Sequence, residues 1–327
     1  MTPDAPEQSA QTRWGLTLPF PGMTLADSQA PIRQAEAAGF SDLWSGDTSG
    51  PDGFTPLALA AAWTERARLG TGIVNVYTRG PAVLAQHAAA LADASRGRFV
   101  LGLGASSDVI VERWNGVPFE RPLSRVRETV AQLRPVLAGE RGLGGFKLEQ
   151  APASPIPIYL AALREKMLSL AGEVADGAFV NFLPLSGLPT VLEHLHAGEA
   201  KAGKQRGASD VVCRFFCIPQ SREEGIGLAR FMFAAYGTVP VYAEFFRWLG
   251  WGEQLDPMVA AWKEGDRARA LELAPDELIS EIFIFGSPEE QRERLGRFAA
   301  GGIRTLVLTP ITAPDDLARM ISDLAPR

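Results

Sequence analysis

The protein has 327 residues, 46% of them hydrophobic, with 38 acidic residues against 32 basic ones for a formal charge of −6. That length and apolar content support one elaborated domain with a large core, and the acidic balance leaves no electrostatic footprint for nucleic acid or an anionic membrane surface. No apolar run reaches the ~20 residues that span a bilayer, so the expected class is a cytoplasmic enzyme acting on a small-molecule substrate.

Residues 1–13, MTPDAPEQSAQTR, are polar and lack the apolar stretch of a secretion signal. They are expected to be a disordered tail before a single domain over 14–327. From there strand-like and helix-like segments alternate, the pattern of a parallel sheet with crossover helices. WGLTL (14–18) opens the series, followed by a helix over 27–38 that Gly39 closes. SDLWS (41–45) is the second strand and 56–67 the next helix. LGTGIVNVY (69–77) is the third strand, and the helix over 81–94 has proline in its first turn. His87 shares the face of Leu84, Ala88 and Leu91 there, which predicts an interior or interface histidine.

The fourth strand, 98–104, is apolar on both faces, as in a strand covered by helices. A Gly- and Ser-rich turn and a polar segment lead from it to a helix over 123–137. The irregular stretch 139–155, with GLGGFKLE, suggests a hairpin excursion. PIYLAA (157–162) is the fifth strand, and Met167, Leu170, Ala171 and Val174 mark the buried stripe of the helix after it. GAFVNFL (177–183) is the sixth strand, 188–202 a helix and VVCRFFCI (211–218) the seventh strand. Cys213 and Cys217 share a face of that strand ~13 Å apart, too far for a bridge, and read as inert core thiols. His194 and His196 point to different sides of their helix, and no metal site is predicted.

Over 221–280 the alternation gives way to helical segments dense in aromatics, among them Phe233, Tyr236, Tyr242, Phe246 and Trp248. This insertion after strand seven is long enough to roof a site; packing on the barrel flank or on a second subunit fits it equally. Ser287, Pro288 and Glu290 then form an N-cap, first helical residue and capping box, and IRTLVLTP (303–310) is the eighth strand. Eight such repeats make a (β/α)8 TIM barrel the expected α/β fold, although a doubly wound open sheet has the same alternation.

In such a barrel the site residues lie just past the C-terminal ends of the strands. Strand two delivers Asp47 and Thr48, with Asp52 nearby as a turn former. Strand three delivers Gly72, Ile73, Asn75 and Tyr77. Strand four delivers Gly104, Ala105, Ser106 and Ser107, whose small side chains, hydroxyls and amides suit a phosphate cradle. Strand five delivers Ala161, Ala162 and Leu163, then Arg164 and Lys166, cations in a first helical turn that a bound anion would offset. Strand six delivers Asn181 and Phe182.

Ser95, Gly97, Arg98, Leu101, Gly102 and Gly104 resemble the S-x-GR-x-x-LG-x-G signature of the luciferase-like monooxygenase superfamily. VERWNGVPFE (111–120), with the blocks 74–95, 157–179 and 285–308, is similar to the branch that uses the deazaflavin coenzyme F420. The resemblance implies a TIM barrel, often a homodimer, that binds F420 at its C-terminal mouth and moves hydride to or from C5 of the deazaflavin. It also implies a non-proline cis peptide between Gly72 and Ile73 against the coenzyme ring, and an Ala161–Ala162 turn packed on the coenzyme tail. The sugar-phosphate dehydrogenase branch has a histidine base where Thr48 stands and a glutamate where Ser107 stands. These departures point to a reductase, with Asp47 or a water held by Thr48 or Tyr77 as proton relay. An FMN-dependent monooxygenase that uses reduced flavin and oxygen under the aromatic lid is the first alternative. A non-catalytic barrel that binds a flavin or deazaflavin is the second.

Overall fold

In the computed structural model, which describes residues 12–326, the apolar segments pair side by side into a closed parallel barrel. Its eight staves are β1 (Arg13–Leu18), β2 (Asp42–Ser45), β3 (Arg68–Thr71) continued by β4 (Val74–Asn75), β5 (Phe99–Gly104), β6 (Ile158–Ala161), β7 (Gly177–Asn181), β8 (Asp210–Ile218) with β9 (Ile284–Phe285) at its end, and β10 (Thr305–Pro310). Pairing of β10 with both β1 and β8 closes the ring and excludes the open sheet. Of the expected tail, residues 1–11 lie outside the described residues. Arg13 begins β1 and donates from Nε to Asp42 at 2.8 Å.

Helices α1 (Gln29–Ala37), α2 (Thr55–Trp63), α3 (Pro81–Ala94), α4 (Pro122–Leu137), α5 (Glu165–Val174) and α6 (Leu188–Lys201) follow the staves in turn. Five more occupy the predicted insertion, from α7 (Arg222–Gly237), α8 (Pro240–Trp248) and α9 (Gly252–Lys263) to α10 (Arg267–Glu272) and α11 (Asp276–Ile282). The Ser287 capping box forms at the start of α12 (Pro288–Ala300), and α13 (Leu317–Asp323) ends the chain. Among the described residues no helix is long and apolar enough to cross a membrane.

Side chains alternate in and out along each stave, so the inward ones stack in layers. At the floor the Arg68 guanidinium is saturated: Nε donates to Asp42 at 2.5 Å, Nη1 to Asp210 and Tyr159 at 3.0 Å each, and Nη2 to Thr305 at 2.9 Å. Above it Trp44, Val100, Tyr159, Phe179, Val212 and Val307 fill the middle layer. Trp44 has room because Gly70 faces it; a Cβ there would stand 2.4 Å from the indole. The top layer, at the C-terminal mouth, is formed by Thr17, Ile73, Gly104, Ala161, Asn181, Arg214 and Thr309.

Two local expectations differ from the structure. Residues 139–155 form no hairpin; Gly144 and Gly145 adopt positive φ in a short 3₁₀ turn, and Leu148 and Ile156 anchor an otherwise irregular loop. His87 is exposed, its ring 4.6 Å from that of Phe54, because it lies at the edge of the stripe that buries Leu84 and Ala88. His196 Nδ1 lies 2.8 Å from Glu199, a buried carboxylate that also accepts from the N–H of Gly207 and Ser209 and thereby ties α6 to the approach to β8. Cys213 and Cys217 are free and buried, and burial pushes both thiols up.

The floor network gives a direct test. Arg68→Met leaves Asp210, 14% exposed, without its cation, and leaves the fully buried Asp42 with Arg13 alone. Uncompensated buried charge of this kind costs about 3–5 kcal/mol, so urea denaturation should show a loss of that size.

Candidate active site

The mouth is organised by a bulge between β3 and β4. Four residue steps from Gly70 to Val74 lie opposite three from Val100 to Leu103, one extra residue on the bulged side. The extra length is taken up at Gly72–Ile73, whose peptide bond is cis. Thr71 bridges the broken ladder, its Oγ1 accepting from the Gly102 N–H at 2.7 Å and donating to the Gly102 carbonyl at 2.8 Å. Gly46 makes room alongside, since a Cβ there would stand 2.6 Å from the Gly72 oxygen. The Ile73 side chain packs on the middle layer. Gly104 leaves the gap that this side chain fills, for a Cβ there would lie 2.8 Å from Ile73 and 3.0 Å from Ala161.

Past β5 the chain turns through Ser106, at φ +65°, into a π-helical turn over Val109–Trp114. Ser107 starts that turn, its carbonyl accepting from the Val111 N–H at 2.9 Å and its Oγ from the Ile110 N–H at 3.4 Å. The N–H groups of Ala105, Ser106 and Ser107 find no acceptor among the described residues. Three such donors at a turn suit an anion.

Asp47 is the fastening of the rim. Oδ1 accepts from the Gly53 N–H and Arg79 Nη2 at 3.1 Å each, and Oδ2 from Arg79 Nη1 at 2.6 Å and from the Asn75 N–H and Nδ2 at 3.2 and 3.3 Å. Asn75 passes the order onward, its Oδ1 accepting from the N–H groups of Tyr77 and Thr78. The Tyr77 hydroxyl donates to the Glu120 carbonyl at 2.6 Å; burial pushes the phenol up, opposed by the charge of Arg125 above its ring. Thr48 is exposed and accepts from the Gly50 N–H at 3.3 Å. Asp52 caps the start of α2 through the N–H groups of Phe54 and Thr55. The three expected relay residues therefore do not converge on one point: Asp47 and Tyr77 are committed to the loops, and Thr48 faces outward.

On the β6 side Ala162 is buried, its N–H donating to Phe179 at 3.1 Å. Leu163 follows, partly buried, and leads to Arg164, the N-cap residue of α5, whose Nη1 lies 3.8 Å from Glu244 of α8. On the neighbouring stave β7, Asn181 links three elements, accepting from Arg214 Nε at 3.0 Å and donating to the Tyr242 hydroxyl at 2.9 Å. Burial pushes the Tyr242 phenol up, countered by the charge of Arg214 and the bond from Asn181. Tyr236 and Tyr242 reach Phe182, with ring centroids at 4.7 and 5.4 Å. Helices α7 and α8 thus stand over the β7–β8 side of the mouth, which decides between the roof and the flank for this part of the insertion.

The family signature on β5 divides between two ends of the barrel. Gly102 and Gly104 serve the mouth. Arg98, at the other end, donates to the carbonyls of Ala61, Thr64, Ala67 and Ser95, which hold the C-termini of α2 and α3.

The luciferase-like monooxygenase family profile matches residues 4–305. The chain belongs to that family. A 5,10-methylenetetrahydromethanopterin reductase of Archaeoglobus fulgidus is 30% identical over 90% of this chain and 92% of its own. Two solved structures share the fold: the coenzyme F420-dependent tetrahydromethanopterin reductase of Methanopyrus kandleri (TM-score 0.77, 24% identity, 97% of this chain and 98% of that one) and an F420-dependent secondary alcohol dehydrogenase in complex with an F420–acetone adduct (TM-score 0.76, 18%, 96% and 98%).

For this luciferase-like enzyme, the sequence reading of the mouth left out Arg214 and gave Tyr236 and Tyr242 only as part of the aromatic insertion. The alternation in VVCRFFCI carried a signal, because an arginine in phase with Val212 must point into the barrel. Asp47→Ala should cost about 1–3 kcal/mol by leaving Arg79 and the Gly53 and Asn75 amides without their acceptor. Thermal denaturation, with hydrogen exchange faster at 46–54 and 75–79 than elsewhere, checks this.

Proposed function

We propose that this protein is a coenzyme F420-dependent oxidoreductase that transfers hydride between C5 of the deazaflavin and a small organic substrate, working as a reductase. The observation that carries the reading is the Gly72–Ile73 bulge, which stands at the barrel mouth beside a wall stripped of side chains at Gly102 and Gly104. A flat ring system fits such a wall, and the three unpaired N–H groups at Ala105–Ser107 suit the phosphate of its tail. The M. kandleri and alcohol dehydrogenase structures, both F420-dependent by name, support the choice of coenzyme.

When bound, the deazaflavin supplies the hydride chemistry, and the protein's part is positioning and exclusion of water. Gly72, Ile73 and Gly104 would support the ring, Ala161, Ala162, Leu163 and Arg164 would flank the tail, and Asn181 would face the ring from across the barrel. Asn75 and Asp47 act as positioning residues that hold the loops after β2 and β4 in place. Reduction is the direction that the departures at Thr48 and Ser107 favour, and with Asp47 and Tyr77 committed to the loops the proton would be drawn from water at the rim.

Fluorescence titration of the purified protein with F420 and, separately, with FMN tests the reading. Selective binding of F420 at micromolar concentration or tighter is expected, and Gly104→Val should weaken it by about tenfold or more, ~1.4 kcal/mol. Preference for FMN would replace this reading with the monooxygenase. F420 binding without turnover of any acceptor would leave a binding protein, and binding of neither would refute the assignment.

A further inference from the structure

Arg68 and Arg214 both project into the barrel, and their environments differ. Arg68 at the floor spends all three guanidinium nitrogens on acceptors of the protein. Arg214, in the top layer, spends only Nε, on Asn181 at 3.0 Å. Among the described residues neither of its Nη atoms has an acceptor, and no carboxylate lies within ion-pair distance of it. The group is nevertheless held in place, with its guanidinium carbon 5.0 Å from the centre of the Phe216 ring. Arg214 is partly exposed and its Nη groups are not sealed from solvent, so this edge of a held cation is open to the mouth and can take up an anion.

The position of Arg214 says what would complete it. β3 and β8 are four staves apart in either direction around the ring, so Arg214 faces the Ile73 bulge across the mouth. A molecule between Ile73 and the β8 wall would meet the two Nη groups at one end, and the partly exposed Tyr236 and Tyr242 along its side. Two other arginines at the mouth have carboxylate partners, Arg79 with Asp47 and Arg164 with Glu244. One guanidinium fork matches one carboxylate by two parallel N–H···O bonds, whereas a phosphate dianion calls for more positive charge than a single fork supplies.

We propose that Arg214 is the specificity determinant for a substrate carboxylate, so that the substrates of this enzyme are small monocarboxylic acids with a planar apolar body. The proposal rests on the deazaflavin-oxidoreductase reading for where the coenzyme lies, but its test does not. Asn181 and Phe216 act on the substrate only through the guanidinium, as positioning residues.

Calorimetric titration with trans-cinnamate and its neutral counterpart trans-cinnamamide, on the protein with and without F420, tests it. The wild type should bind cinnamate at least about tenfold more tightly than the amide, the gain of a charge-assisted fork. Arg214→Gln should abolish that preference while leaving cinnamamide and F420 affinity within about twofold, and Arg214→Lys should keep part of it. Equal binding of the two probes by the wild type, no binding of cinnamate at millimolar concentration, or a preference that survives in Arg214→Gln would overturn the proposal. So would loss of F420 rather than cinnamate in that variant, since Arg214 would then serve the coenzyme. If Arg214→Gln does not fold, the wild-type comparison and Arg214→Lys decide. Selective cinnamate binding by a protein that ignores F420 would retain the Arg214 site and refute the coenzyme reading; the reverse would refute Arg214 alone.

Discussion

The Arg68 guanidinium with Asp42, Asp210, Tyr159 and Thr305 closes the floor of the barrel, and the remaining interior is built on that plug. Burying a cation and two carboxylates costs several kcal/mol per ion in desolvation, which attraction repays only where the geometry is good and the hydrogen bonds are complete. Here every guanidinium nitrogen has an acceptor. Arg68 also lies 5.6 Å from the Trp44 ring centroid and 5.8 Å from that of Tyr159, so the polar floor and the aromatic layer above it support each other. With floor and middle filled, solvent and ligands enter only at the C-terminal mouth.

The mouth is asymmetric for a reason that lies in side-chain volume. On the arc from β4 to β6 the inward positions are Gly102, Gly104 and Ala161, and the bulge at Ile73 advances into the space they leave. On the arc from β7 to β10 they are Asn181, Arg214 and Thr309, which bond to their neighbours and to the roof. One side presents surface and the other presents hydrogen-bonding groups. A planar reactant pair suits that division, one member against the bare wall and the other addressed by the polar wall.

The loops that frame this space are held by a few saturated side chains. Asp47 gathers five donors from three segments, and Asn75 adds three bonds beyond it. Such pre-organisation keeps reacting groups in register, which is the protein's main contribution when a coenzyme carries the chemistry. Glu244 of α8, near Arg164, and Tyr242 of the same helix, on Asn181, tie the roof to two different staves.

The sequence by itself determined the alternation of eight apolar strands with amphipathic helices, the glycine and serine turn after β5 and the Ser287 capping box, because each depends on neighbours within a few residues. It also carried the family signature, although not that Arg98 serves helix ends while Gly102 and Gly104 serve the mouth. Closure was decided only in the tertiary structure, since β10 must meet β8 across the whole insertion. The false hairpin at 139–155 arose from glycines that permit a turn without apolar partners to pair strands around it. Asp47 as a fastening and Arg214 as an unsatisfied cation were likewise invisible: Arg68 and Arg214 are both arginines in strands, and what separates them is the set of acceptors that other staves bring within 3 Å. Periodicity gives the direction of a side chain, but what it meets there depends on residues up to 292 positions away.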